Sequence, residues 1–176
     1  GRRISFDVLA AVCQVSEDDL IGLLHIAIER GVLVETEADY FSFRHELARE
    51  AVEQGLLGRK RRRLHERALE ALRRADSSDH AALAHHAHGA GEIDQMIHHA
   101  KVGSRVAIDR GATYQALRLA ELGLSEDDDD LELLATVTEA AWLTGLLEEA
   151  RGYTARWLRL ARTLHDPAAE AQALQR

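Results

Sequence analysis

Cysteine, proline, lysine and aromatic residues are nearly missing from this chain, and each shortage excludes something. The single cysteine, Cys13, has no partner for an internal disulfide, which suits a reducing compartment. One proline in 176 residues leaves long stretches free of the strongest helix breaker. Aromatics make up only 5%, so any core must be built from aliphatic and small side chains. No apolar run reaches the ~18 residues that a membrane span needs, and no signal-peptide pattern opens the sequence. A cytoplasmic protein with no membrane partner is expected. Excess positive charge is also missing. Residues 1–75 carry 13 basic and 13 acidic groups, and residues 76–176 carry 9 and 17, which accounts for the whole net charge of −8. Neither part has the basic surplus of a nucleic-acid binder.

What remains is rich in Ala, Leu and Arg, a composition that favours helices. In residues 1–75 the apolar pattern predicts a small mixed module. SFDVLAAVC is short and apolar. Ser16 then caps EDDLIGLLHIAIER, whose three acids suit the positive end of a helix. Leu20, Leu24, Ala27 and Ile28 form its apolar stripe, and Gly31 sits where a helix ends. VLVE and YFSF, joined by the polar TEAD, predict a short β-hairpin. Helices HELAREAVEQ and GRKRRRLHERALEALRRA follow, the second with Leu64, Ala68, Leu72 and Ala75 on one face. This order is that of a partial winged helix lacking its first helix, so the sequence is expected to begin inside a domain.

Residues 76–176 predict helices alone, and they repeat. Gly91, Gly111 and Gly145 each separate two helical runs. Seven residues before each stands a small residue (Ala84, Ser104, Thr138), and four before, an alanine (Ala87, Ala107, Ala141). Five after stand Met96, Ala116 and Ala150. The 34 residues from Gly111 to Gly145 equal the tetratricopeptide period, whereas only 20 separate Gly91 from Gly111, so one long helix serves two hairpins. The fold expected is therefore mainly α: a partial winged helix over 1–75, then tetratricopeptide-like α-hairpin repeats over 76–176, truncated at the end.

His45 is the candidate site residue. It stands where the YFSF strand gives way to a helix, in YFSFRHELAREA. A helix start leaves backbone N–H groups unpaired beside a partial positive charge, and phosphate binds there readily. A histidine on that turn adds a ring donor. The same residue can instead simply close the hairpin and cap the helix.

The other candidates each have an ordinary explanation. His80, His85, His86, His88, His98 and His99 suggest a metal, with His85 and His88 one turn apart, yet no cysteine or carboxylate joins them at ligand spacing, and no metal site is assigned. SEDDDDLE (125–132) lacks the alternating ligands and central glycine of an EF-hand; its acids fit a helix start. Cys13, in an apolar helix, is expected to be buried and inert. Trp142 and Trp157 are expected to pack between repeat helices, or else to floor a ligand pocket. RKRRR (59–63) could track phosphates, but reads first as a solvated helix face or a partner contact. A DNA-reading role is opposed by Glu17, Asp18 and Asp19 at the start of the would-be recognition helix. No GxxxxGK[ST] motif is present, and no catalytic residue is assigned.

YFSFRHELAREA resembles the end of the winged-helix domain in signal-transduction ATPases with numerous domains (STAND). There a Met-His-Asp motif follows a wing strand, and Arg44, His45 and Glu46 occupy those three positions here, with Leu47 next. RRRLHERALEAL (61–72) and LAHHAHGAG are similar to the following part of large ATP-binding regulators of the LuxR family. Residues 40–72 carry the sharpest likeness, and Arg44 and Glu46 depart from the motif. The resemblance implies that His45 senses the β-phosphate of ADP held by an upstream ATPase domain. It further implies that an inducer or protein partner acts on the repeats, and that DNA is met only through a separate domain. This fragment itself would be a relay without cofactor or enzymatic activity, and ATP or ADP would belong to the parent protein. Two alternatives stay open: a protein-interaction scaffold, or the same segment attached to a cyclase or kinase domain.

Overall fold

The computed structural model describes residues 3–175. It is mainly helical, with a small antiparallel sheet near the N-terminus. Two compact units are present: Gly1–Ser77 with Gly89–Gly91, and Ser78–His88 with Glu92–Arg176.

The first unit runs β1 (Ile4–Ser5), α1 (Phe6–Cys13), α2 (Glu17–Glu29), β2 (Leu33–Glu37), β3 (Tyr40–Phe43), α3 (Glu46–Gln54) and α4 (Gly58–Arg74). Local chemistry sets the boundaries. Ser5 and Ser16 cap α1 and α2 through their side-chain oxygens, accepting from the backbone N–H groups of Val8 and Asp19. Gly31 takes φ +68°, and the next N–H, from Val32, closes onto the Ala27 carbonyl at 2.9 Å. The β2–β3 hairpin pairs Leu33 with Phe43, Val34 with Ser42 and Glu35 with Phe41, then slips at a bulge so that Glu37 faces Tyr40. Asp39, at φ +65°, makes the turn.

β1 is an addition to the sequence-based expectation. It pairs with β3 (Ile4 with Phe41, Ser5 with Tyr40), giving three strands in the order β1-β3-β2. Two residues are too few to show a strand period, and SFDVLAAVC reads as helix from its second residue. The helix–helix–hairpin–helix–helix order that follows β1 is the expected one. Its core is small: Leu20, Leu24 and Phe41 are buried, with Phe6, Leu9, Ala10, Ile28 and Leu33 packed around them. α4 packs on α1, where the Arg67 guanidinium donates to the Val12 carbonyl at 3.2 Å. Its buried side chains are Ala68, Leu69 and Ala71, whereas Leu64 and Leu72 are half-buried and Ala75 is exposed. The buried face is thus rotated from the expected one.

The second unit stacks helices in sequence: α5 (His80–Ala90), α6 (Ile93–Asp109), α7 (Thr113–Leu124), α8 (Leu131–Thr144), α9 (Leu147–Thr163) and α10 (Pro167–Leu174). All nine repeat positions named above are buried: Ala84, Ser104 and Thr138, then Ala87, Ala107 and Ala141, then Met96, Ala116 and Ala150. The three glycines share one backbone geometry, with φ of +78°, +73° and +78°. After each, the next N–H donates to the carbonyl four residues before the glycine: Glu92 to Ala87, Ala112 to Ala107, Leu146 to Ala141. This is the Schellman closure, which satisfies a helix-end carbonyl and reverses the chain in two residues. A fourth turn of the same kind is not visible in the sequence. His165 takes φ +55°, and Asp166 donates to Ala161 at 2.9 Å. α6 and α9, 17 residues each, therefore both have such a turn at either end.

Between α7 and α8 the chain crosses through residues 125–130. Gly123 lets the two helices meet, since a Cβ there would lie 2.6 Å from Leu133 Cδ1. Asp130 caps α8, accepting from Leu133 N–H at 2.9 Å, and also takes an ion pair from Lys101 of α6. Asp128 pairs with Arg156 of α9 at 2.7 Å. The acidic run thus caps one helix, as expected, and also ties down two others. Arg105 and Glu139, at equivalent places one 34-residue period apart, pair at 3.3 Å across α6 and α8.

Candidate functional site

His45 is the N-cap residue of α3, with extended φ/ψ of −130° and 131°. The hairpin brings it there: Arg44 N–H donates to the Val32 carbonyl at 2.9 Å, closing the β2–β3 ladder one residue earlier. The His45 carbonyl accepts from Ala48 and Arg49 N–H at 3.1 and 3.3 Å, so its backbone starts the helix. Its ring forms no capping hydrogen bond to α3 and is exposed. Of the two roles open to it, side-chain capping of its own helix is therefore not what the geometry displays. The first N–H groups of α3 are left without a side-chain acceptor from the N-cap.

Glu46, which takes the acidic place of the motif, is engaged by its own helix. Arg49 donates to it at 2.8 Å through Nε and to Glu53 at 2.6 Å through Nη1. The Glu46 hydrogen bond, aided by both carboxylates, raises the Arg49 pKa despite partial desolvation. α3 buries none of its residues and touches its own unit through β3. Leu47, directly after His45 and Glu46, is 78% exposed, and Val52 is half-exposed. A titratable ring, a helix start and an uncovered leucine therefore share one open edge.

The histidines of the second unit pair differently from their sequence spacing. The His85 ring stands edge-on to His86, with centroids 5.1 Å apart, and His88 Nε2 lies 3.9 Å from Glu126. The close contact is between His80 and His99, 19 positions apart, with Nδ1 atoms 3.1 Å from each other. One ring must donate and the other accept, so the pair requires complementary tautomers.

One further expectation is corrected. Cys13 is exposed, because it ends α1 in the last turn before Gln14 reverses into the left-handed region. Trp157 is 4% exposed and joins the core of the stacked helices, as expected, whereas Trp142, near the end of α8, is 37% exposed. The Trp157 Nε1–H finds no hydrogen-bond partner among the described residues. Tyr153 of α9 donates to Glu121 of α7 at 3.0 Å, and burial, with that carboxylate, pushes its phenol up to about 12.

Among the described residues, no helix is long and apolar enough to cross a membrane. No family model matches the chain, and no curated protein or solved structure is significantly similar to it.

Proposed function

We propose that this chain is a regulatory relay segment. In this reading it links a nucleotide switch, on an ATPase domain preceding it in a longer STAND-type regulator of the LuxR family, to a sensor surface on its helical hairpins. One observation carries the reading: the His45 ring is exposed at the start of α3 and is not used to cap that helix. Such a ring is free to donate to a phosphate oxygen presented from outside, with the helix's own N–H groups and dipole favouring the same negative charge. The adjacent exposed Leu47 offers apolar surface to a docking domain. ADP, when bound by that domain, supplies the charge that His45 reports. The repeats would bias the equilibrium only through a ligand with different affinity for the closed and open forms.

The test is His45→Ala in the full-length parent, read by ADP release and basal output. Faster ADP release and raised output are expected. An unchanged off-rate refutes the switch and leaves a scaffold whose hairpins bind a protein partner. The output domain, whether DNA-binding or catalytic, lies outside this segment in either case.

A further inference from the structure

Five consecutive cations, Arg59, Lys60, Arg61, Arg62 and Arg63, occupy the first two turns of α4, after its start at Gly58. The helix end that carries them is already positive. Its N-cap residue, Leu57, offers no capping side chain, and the first turn has no acid. Arg62 pairs with Glu66 at 3.2 Å. Arg59, Lys60, Arg61 and Arg63 are exposed and have no ion-pair partner among the described residues. Like charges concentrated on a positive helix end cost stability, and the Arg62–Glu66 pair offsets only part of it.

The cations are not spread evenly. At 100° per residue, Arg62, Arg59 and Arg63 fall within one arc of about 100°, while Arg61 points to the other side. The same three side chains, with Leu57, Lys60 and Glu66, line a surface concavity of about 740 Å³. Residues at i, i+3 and i+4 lie one turn apart, so the three arginines share one helix face bordering this concavity. A phosphate group matches this better than a carboxylate does. Each phosphate in a chain keeps a full charge and two non-bridging acceptor oxygens on one centre, and arginine forks grip it bidentately.

We propose that this face of α4 binds the phosphates of a polyphosphate-bearing ligand, gripped by Arg59, Arg62 and Arg63. The shared chemistry is consecutive phosphates, from either a free polyphosphate group or a single nucleic-acid strand. The site is separate from His45 and stands or falls independently of it.

Isothermal titration of the 176-residue chain with inorganic tripolyphosphate and with a short single-stranded oligonucleotide tests the proposal. Binding of at least one probe is expected at about 50 mM salt. For three strand phosphates contacted, affinity should fall roughly 20-fold on going to about 200 mM. Arg59→Gln/Arg63→Gln should weaken binding at least tenfold. The charge-matched Arg61→Gln/Arg110→Gln, off this face, should change it less than twofold. Tighter binding of tripolyphosphate assigns the free group; tighter binding of the oligonucleotide assigns a strand. The proposal is overturned if neither probe binds, if both double variants lose affinity equally, or if polyglutamate binds as tightly as either probe.

Discussion

Gly123 and Gly152 offer one chemical change in two surroundings, and the difference between them measures how closely α7 and α8 approach. Both glycines are helical. At Gly152, on the exposed side of α9, an added Cβ meets nothing within 4 Å. Gly152→Ala should therefore gain about 1 kcal/mol from helix propensity alone. At Gly123 the same Cβ would stand 2.6 and 3.0 Å from the two methyls of Leu133, and 3.3 Å from Ala100 Cβ. Leu133 is fully buried, so it cannot swing into solvent. Overpacking of this kind costs about 1–3 kcal/mol, which offsets or exceeds the propensity gain. The two variants should differ by about 1–3 kcal/mol, or roughly 2–12 °C in Tm at this chain length. Thermal and urea unfolding of both measure it. A Gly123→Ala variant as stable as Gly152→Ala would refute the close crossing. A double variant sharpens the result. Leu133→Ala should cost about 2–5 kcal/mol alone, and distinctly less in the Gly123→Ala background, where the added methyl already fills part of the space.

Three more outcomes follow from the geometry. Gly145→Ala should destabilise by about 1–2 kcal/mol because φ is +78°, whereas His165→Gly, at φ +55°, should stabilise; opposite Tm shifts would check both. The phenol of Tyr153 has a folded pKa of about 12, above its ordinary value of 10.0, so the stability it contributes is fully present below pH 10 and lost as pH rises toward 12. Tyr153→Phe should flatten the alkaline stability profile over that window and remove the phenolate absorbance step near pH 12. His45→Ser should hold or raise stability, by up to about 1 kcal/mol, because serine caps α3 where the histidine ring makes no capping bond; a clear fall in Tm would show that the imidazole is structural after all.

Much of the fold is legible in the sequence because its determinants are local. Ser16 before three acids, glycine after the Ile28 turn, and small residues at fixed offsets from three glycines each act within one or two helical turns. Such signals survive in a single sequence. The features that escape it depend on partners far along the chain. β1 exists only because β3 is there to pair with it, and its two residues carry no period of their own. The buried face of α4 turns toward Leu69 and Ala71 rather than Leu72 and Ala75, a rotation that an alanine-rich helix permits because several of its faces are apolar enough to pack. The His165 turn is hidden because a histidine takes the left-handed conformation that glycine marks elsewhere, held there by the Asp166 bond to Ala161 and the Asp166 cap on α10.

The same division explains the candidate sites. The position of His45 is legible, since a strand pattern changing to a helical one fixes it to a helix start within a residue. Its exposure is not, because exposure depends on what α3 packs against, and α3 touches its own unit only lightly. The histidines show the reverse. Their number suggests chemistry, but helical spacing selects His85 and His88, whereas helix packing brings His80 onto His99. An i, i+3 pair is close by construction and carries little information. A contact across 19 residues is set by the packing of α5 on α6, and only such contacts can be made or broken when helices shift. Under the proposed relay reading, the contacts that a small displacement would change are those at the open edge of α3 and along the seams between stacked helices.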